Sequence, residues 1–492
     1  MKPTVDIGNH RYDEATTSPL IRIGDITAMA TPLDTTSAPD PVVVIGAGPV
    51  GLAAAAHLHE RGLPFRVVEQ GPQAGAAIAQ WGHTRLFSPW EYNIDTAARR
   101  LLERHDWSAP QDEVLPTGHE LSAEYLAPMA ATPEIAPAIS YDTRVVAISR
   151  LGMDKTRTAN RATTPFIARV EHDGGTVEDT QAAAVIDSSG TWSTPNPLGQ
   201  AGLIAPGEYK SREQGLITQT LPDVLGRDRE RFAGKHILVV GAGHSAANTL
   251  LELGELAEQN PDTRISWAVR SADVTHVYGG EANDELAARG ALGSRLRQLV
   301  DAGRITVHTS LTITAFDTQG DRLQVHGTTP EGEKIIEVDT LVPATGFRPD
   351  LSILSELRLA LDPAVEAPAQ LGPLIDSEFH SCGSVEPHGE KVLAHPEDNF
   401  YIAGMKSYGR APTFLMATGY EQVRSIVAAL AGDQESADAV HLDLPETGVC
   451  TTDLGGSCDV PVPAGVVSEE SSSQGCCTPA PQLLTIGLPG TH

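Results

Sequence analysis

The sequence predicts an α/β chain of two nucleotide-binding units, the second inserted in the first, and three observations carry that prediction. From Pro41, "PVVVIGAGPVGLAAAAHLHERGLPFRVVEQ" reads as a buried apolar strand, a Gly-rich turn, an Ala-rich helix ending at Gly62 and a second strand stopping at Glu69. Further on, "GKHILVVGAGHSAANTLLELGELAEQ" followed by "RISWAVRSAD" repeats that order. Finally, "AAAVIDSSGTWSTPNP" (182–197) and "DTLVPATGFRPDLSIL" (339–354) are both short apolar strands that run into a small-residue Gly turn and then Pro. Each sits where a strand would close one unit and hand the chain to its neighbour. The fold class is therefore two Rossmann-like dinucleotide-binding domains, with the first interrupted at 221 and resumed at 347.

Taken in order, residues 1–40 are polar, rich in Thr, Asp and Pro, and lack periodicity, which predicts an extended N-terminal arm. Residues 41–221 and 347–432 make the first unit and 222–346 the second. Within the resumed part, 400–432 reads as a strand, a Gly-rich loop and a long amphipathic helix. From 433 to 492 the chain becomes a Ser-, Pro-, Gly- and Asp-rich flexible tail.

Composition narrows the function classes. The 492 residues carry 64 acidic against 35 basic side chains, a net charge of −29, which repels nucleic-acid phosphates and anionic membrane surfaces. No basic n-region followed by an apolar run opens the chain, and no long uncharged apolar stretch interrupts it, so a cytoplasmic protein is expected. Of the five cysteines, only Cys382 precedes the tail, which argues against a disulfide framework and for reduced thiols. "EFHSCGSVEPHGEKVLAHPE" gathers Cys382 with His380, His388 and His395, but the spacing matches no common zinc pattern, and no metal site is expected. The oligomeric state, a homodimer included, is left open by the residues.

The first fingerprint is Gly46-Ala47-Gly48-Pro49-Val50-Gly51. Gly46 permits the tight turn, Gly48 lets the backbone approach a pyrophosphate and Gly51 lets helix pack closely on strand, while the helix N-terminus offers free N–H groups. Glu69, at the end of the next strand, can accept hydrogen bonds from ribose hydroxyls, which favours an unphosphorylated ribose such as that of FAD or NAD. The second fingerprint, Gly241-Ala242-Gly243-His244-Ser245-Ala246, is followed by a strand that ends at Arg270-Ser271 with no acid at the ribose position. A guanidinium there can pair with a 2′-phosphate, which points to NADPH, a solvated strand-end charge being the alternative. "HVYGGEANDELAARGALGSRL" follows directly and reads as a lid hinged at Gly279-Gly280 or as a plain connection.

With these motifs in place, 41–432 resembles the glutathione-reductase-like flavoproteins with two dinucleotide-binding domains, and within them the NADPH-dependent flavin monooxygenases. "DTLVPATGFRPD" matches their hinge at Ala344-Thr345-Gly346. A disulfide reductase of that architecture would carry a paired-cysteine motif against its flavin, and neither fingerprint region here contains a cysteine. The segments "RLFSPWEYNID", "CGSVEPHG" and "GMKSYGRAPTFLMATGYEQVRS", with the Cys-bearing tail, look most like the flavin monooxygenases found among arsenic-resistance genes. Two departures keep ketone or amine substrates from being carried over. The loop before the second fingerprint lacks the Phe-x-Gly-x-x-x-His pattern, and Met405 stands where many relatives have an Asp.

The resemblance implies FAD and NADPH as cofactors and O2 with a small molecule as substrates. It also implies a C4a-hydroperoxyflavin whose distal oxygen is attacked by a soft nucleophile such as trivalent arsenic, thioether sulfur or amine nitrogen. It places Trp81, His83, Arg85 and Asn93 of "QWGHTRLFSPWEYN" near the flavin, with Asn93 bonding to the peroxide and Arg85 stabilising negative charge. Packing and loop capping is the alternative for Trp81 and Asn93. The Thr413 end of the last long helix would face the flavin. Adjacent Cys476 and Cys477, with Cys450 or Cys458 on a flexible linker, could capture a thiophilic trivalent arsenical, unless the tail thiols are idle. A flavin-dependent thiol-disulfide reductase using the tail, and a metalloid- or redox-sensing flavoprotein, are the rival readings.

Overall fold

The computed structural model describes residues 39–279, 287–376, 387–411 and 414–442. Residues 1–38 of the arm, Gly280, His380, Cys382, Thr413 and the tail thiols Cys450, Cys458, Cys476 and Cys477 lie outside the described residues.

The first unit is built on a five-stranded parallel sheet. In chain order its strands are β1 (Val42–Ile45), β2 (Phe65–Val68), β3 (Ile139–Ser140), β7 (Ala184–Asp187) and β15 (Phe400–Ile402). Their spatial order is β15-β7-β1-β2-β3. An antiparallel meander of β4 (Thr143–Arg150), β5 (Phe166–His172) and β6 (Val177–Ala182) lies between β3 and β7 in the chain. Both faces of β1 are covered, which is why "VVVI" runs apolar without alternation. Val43 and Ile45 pack with Val145, Phe166 and Val170 of the meander. Val42 and Val44 pack with the Pro49–Glu60 helix.

The second unit repeats the three layers. Its parallel sheet, β10-β9-β8-β14, is formed by β8 (His236–Val240), β9 (Arg264–Ala268), β10 (Ile305–His308) and β14 (Thr340–Pro343). The His244–Gln259 helix covers one face through Ile237, Val239 and Trp267. The other face, through Leu238, Val240 and Ala268, meets the antiparallel strands β11 (Thr312–Gln319), β12 (Arg322–Thr329) and β13 (Gly332–Val338). This whole sheet falls in the chain between β7 and β15, so the second unit is nested in the first. It also gathers residues before 222: Leu198, Ala205 and Ile217 pack into its core, and Ile217 bridges Leu341.

The chain crosses between units twice, and the two crossings pair. Pro195 bridges Phe347, the Asn196 N–H donates to the Gly346 carbonyl at 2.9 Å and the Arg348 N–H to the Thr194 carbonyl at 3.0 Å. The Thr345 hydroxyl donates to the Asn196 carbonyl at 2.8 Å. Thr345 and Gly346 thus lie where the chain crosses back between the units, and Gly346 adopts φ +79°, a conformation that glycine reaches without strain.

Two expectations about the last part of the chain are corrected. The Met416–Leu430 helix is not amphipathic in its burial: Ala417 through Ala428 are all buried, because the helix packs on the Pro49–Glu60 helix from within the unit. Its charges survive there by pairing, Arg424 with Glu421 at 2.7 Å. Nor does the flexible tail begin at 433. Gln434–Asp438 forms a short helix docked over Met416–Leu430, the Ser425 hydroxyl donating to the Ala437 carbonyl at 2.6 Å and Arg61 pairing with Asp433 at 3.0 Å. Among the described residues no helix is long and apolar enough to cross a membrane.

A buried ionic cluster closes the interrupted first unit. Glu397 accepts from Arg150 Nε at 2.7 Å, from Arg161 Nη2 at 2.8 Å and from the Arg358 N–H at 3.0 Å. The spare guanidinium N–H groups donate to the carbonyls of Thr164, Asp398, Asp154 and Glu356, and Arg150 lies 3.6 Å over the Phe166 ring. Burial alone would raise the Glu397 carboxyl, but the hydrogen bonds from Arg161, the Arg358 N–H and Arg150 outweigh it and hold it below the usual range. With a depressed folded pKa, this contribution is present above the ordinary carboxylate range and is lost as pH falls through the folded value. Glu397→Gln, which strands two buried cations, is expected to cost about 3–5 kcal/mol. Urea unfolding at neutral pH measures that loss, and the difference from the parent should shrink toward acid pH.

Candidate functional site

Three helices begin at the wall of one cavity of about 1340 Å³. That is larger than the ~300–1,000 Å³ typical of sites for drug-sized ligands. The Pro49–Glu60 helix starts after Gly48, the His244–Gln259 helix after Gly243 and the Met416–Leu430 helix after Leu415, and none has a side-chain cap at its N-terminus. The first N–H groups of a helix have no partner within it, so uncapped starts leave donors and the positive end of the dipole facing whatever fills the space. Gly48, Pro49 and Val50, then His244 and Ser245, then Leu415 and Met416 all line this cavity. The first and second fingerprints therefore address one space from two units.

The glycines are explained by what a side chain would meet. A Cβ on Gly51 would stand 1.9 Å from the Gly46 carbonyl oxygen, and one on Gly241 would stand 2.0 Å from the Ala344 carbonyl oxygen, where the turn is pressed on the hinge strand. Gly46 adopts φ +97°. A Cβ on Gly48 or on Gly243 would meet nothing within 4 Å, so both turns are open on that side. This cradle, with its orphaned N–H groups, fits the pyrophosphate of a dinucleotide.

Glu69 follows β2 and lines the same cavity. Its carboxylate accepts from the Ala47 N–H at 2.7 Å and the Gly71 N–H at 2.8 Å, which fixes the acid against the first Gly turn. Burial raises its pKa, against the pull of those two backbone bonds. Each oxygen keeps a lone pair for a ribose hydroxyl. Arg270 follows β9, is exposed and has no hydrogen-bond or ion-pair partner among the described residues, so its guanidinium is available. It does not line the large cavity, whereas Ser245 does.

The segment 81–93 divides. Trp81 and Arg85 are in the wall, with Trp81 6.5 Å from Trp192 and Trp192 4.9 Å from Phe347 of the hinge. The Arg85 guanidinium donates to the Leu115 carbonyl and lies 3.7 Å from Glu120, so part of its charge is already matched. Phe87 meets His244 at a tilt of 55° with ring centroids 5.1 Å apart, joining the segment to the second fingerprint. His83 is half-buried and its pKa is lowered, chiefly by burial. Asn93 stands behind the wall: it is fully buried, its carboxamide accepts from the Ser88 hydroxyl at 2.7 Å and donates to the Ser88 carbonyl at 2.7 Å, and of the two residues Ser88 is the one that lines the cavity. An amide engaged at both ends with one loop residue positions that loop. Its expected direct contact with reacting atoms is corrected accordingly.

Sequence reasoning missed Lys406. It follows β15, lines the cavity, and its ammonium donates to Asp187 Oδ2 at 2.7 Å and to the Ser189 hydroxyl at 3.1 Å, with both charged side chains almost fully buried. Asp187 ends β7 and its other oxygen accepts from the Ser189 N–H and hydroxyl. The only signal in the sequence was a Lys directly after the Gly404-Met405 turn. Lys406→Met should cost about 3–5 kcal/mol by leaving Asp187 buried and unpaired. Lys406→Met with Asp187→Asn should recover most of that loss, and a double-mutant cycle in urea measures the coupling.

The pyridine nucleotide-disulphide oxidoreductase family matches residues 43–370. Among curated relatives, indole-3-pyruvate monooxygenase YUCCA8 of Oryza sativa subsp. indica is 29% identical over 217 residues, 44% of this chain and 46% of that protein. The chain thus spans about half the length of that relative. A ferredoxin–NADP reductase of Thermus thermophilus is 24% identical over 65% of this chain and 77% of its own. Two solved structures share the fold. Bacillithiol disulfide reductase of Bacillus cereus has a TM-score of 0.59 at 18% identity, covering 80% of this chain and 99% of that one. The cadaverine monooxygenase DfoA of Erwinia amylovora, solved with FAD, has a TM-score of 0.57 at 13% identity, covering 83% and 99%. With the family match spanning both fingerprints and the hinge, this chain belongs to the pyridine nucleotide-disulphide oxidoreductases.

Proposed function

We propose that this protein is an FAD- and NADPH-dependent monooxygenase that oxygenates a soft nucleophilic small molecule, with trivalent arsenicals as the substrate class. The observation that carries the reading is the single cavity entered by both fingerprint helices, since it lets two dinucleotides meet end to end. The first unit would hold FAD through the Gly46–Gly51 turn, Glu69 and the start of the Met416–Leu430 helix. The second would hold NADPH through Gly241, Gly243 and Ser245, with Arg270 pairing the 2′-phosphate. Bound FAD would supply the redox chemistry, moving two electrons from NADPH to O2 so that one oxygen atom reaches the substrate and the other leaves as water.

The chain's own residues bind, orient and exclude water. The helix starts at Met416 and Pro49 favour negative charge beside them, in a protein whose net charge is otherwise −29. Trp81, Trp192 and Phe87 supply apolar wall that keeps bulk water out. Arg85 offers the remaining N–H groups of its guanidinium to charge that develops in the cavity. Oxygenation is favoured over disulfide reduction because residues 1–381 contain no cysteine, so no dithiol of the body can face the flavin. The curated relatives named as indole-3-pyruvate monooxygenases support the same side. The arsenical class rests on the thiophilicity of trivalent arsenic and on the adjacent Cys476-Cys477 pair with Cys450 and Cys458.

NADPH consumption and O2 uptake, followed against arsenite, methylated trivalent arsenicals, sulfides and amines, test the reading. The expected result is stimulation by a trivalent arsenical with 18O from O2 in the product. Stimulation only by low-molecular-weight disulfides, without O2 uptake, would replace it with a reductase. Truncation after residue 442 should raise the KM for the arsenical while leaving its kcat in place, and an unchanged KM would remove the tail from substrate capture. Arg270→Gln is expected to raise the KM for NADPH about tenfold or more with NADH little affected, read from steady-state kinetics with each nucleotide.

A further inference from the structure

The parallel sheet of the second unit has a second concavity at the end away from its Gly turn. Strands β8, β9 and β10 run parallel, and their C-terminal ends lead to Gly241, Arg270 and the shared cavity side. At their N-terminal ends lies a pocket of about 550 Å³ between this sheet and β13. Side chains alternate along a strand, so His236 shares a face with Leu238 and Val240, and Arg264 and Ser266 share one with Ala268. That face is apolar where β11–β13 cover it and turns basic where the cover stops.

Arg264, Arg304 and Lys334 converge on the pocket from three separate strands or their approaches, and His236 and His308 complete its wall. None of the three permanent cations has a hydrogen-bond or ion-pair partner for its head group among the described residues. Glu337 is the only acid in the wall, and it is matched by Arg322 at 2.7 Å. Asp339, beneath His236, is also engaged, by the His236 N–H at 2.6 Å and by Arg322 at 3.4 Å. Lys334 also lowers the carboxyl of Glu331 in the β12–β13 turn, behind that acid's own Thr329 and backbone bonds, but the two guanidinium groups have no such acid beside them, which does not follow from composition in a chain with 64 acidic and 35 basic residues. His308 is pushed down to about 4, chiefly by burial, with Lys334 and then His236 adding to it. His236 is lowered as well, by burial and then by Arg264 among others.

We propose that this pocket is a binding site for a small polyanion bearing phosphate or carboxylate groups, separate from both dinucleotide turns. Guanidinium forks at Arg264 and Arg304 suit the paired oxygens of such groups, and Lys334 adds a point charge from the opposite wall. Ser266, which bonds His236 Nε2 at 2.9 Å, and Thr306 add hydroxyl partners. The site goes beyond the oxygenase reading and stands whether or not that reading holds.

Isothermal titration of the full-length protein, loaded with FAD and saturated with NADP+, against inorganic pyrophosphate at constant ionic strength tests the site. A parallel titration with citrate distinguishes phosphate from carboxylate recognition. One saturable equivalent is expected for at least one probe. Its affinity should weaken tenfold or more in Arg304→Gln and again in Lys334→Gln, and should stay unchanged in Arg270→Gln. Thermal melts of the two pocket variants without anion check that they remain folded. No saturable binding of either probe, equal affinity in both pocket variants and the parent, or loss confined to Arg270→Gln would overturn the proposal.

Discussion

A helix cannot satisfy its own first N–H groups, and this fold places three helix starts, all without side-chain caps, on one cavity. Much else in the chain serves that arrangement. Gly51 is needed because the Pro49–Glu60 helix presses on the Gly46 turn, and Gly241 because the second turn presses on Ala344. Gly419 lets the Met416–Leu430 helix approach Val50, where a Cβ would come within 2.6 Å of that side chain. Three positive dipole ends would be costly around an empty apolar hole and are favourable around a ligand rich in phosphate and other anionic groups.

Nesting one unit inside another creates a second demand, since the first sheet must recruit β15 after a long excursion of the chain. Parallel pairing of Phe400 with Val185 supplies part of the closure. Two buried ionic groups add to it: Glu397 with Arg150 and Arg161, and Lys406 with Asp187. Each joins residues from either side of the insertion, and each is surrounded by further hydrogen bonds, the condition under which buried charge is tolerated. The paired hinge strands around Asn196 and Thr345 then let the second unit leave and return at one place.

What the sequence disclosed was what is local. Gly46, Gly48, Gly51 and Glu69 sit within one βαβ unit, so spacing alone located them, and the repeat at Gly241, Gly243 and Ser245 was visible for the same reason. The hinge at Thr345 and Gly346 was legible because both crossings carry the same strand–Gly–Pro pattern. Long-range pairings were not legible: Arg150 meets Glu397 across a separation of 247 residues and Lys406 meets Asp187 across 219. The resemblance placed Asn93 near the flavin with the rest of its segment, packing being the alternative, and the Trp90–Asn93 turn folds it inward onto Ser88. The Met416–Leu430 helix was expected to be amphipathic, and Glu421 and Arg424 stand on the face that would then have met solvent. Residues 433–442 cover that face, and their own composition gave no sign of docking.

The proposed function requires the two fingerprints to deliver two dinucleotides to one space in contact with each other. Anaerobic mixing of the FAD-loaded protein with NADPH, followed at the flavin absorbance in a stopped-flow instrument, tests it most directly when repeated with NADPH deuterated at the transferred position. Bleaching of one flavin per NADPH, slowed by a primary isotope effect, is expected. Binding of NADPH without flavin reduction, or reduction that needs a separate electron-transfer protein, would contradict it.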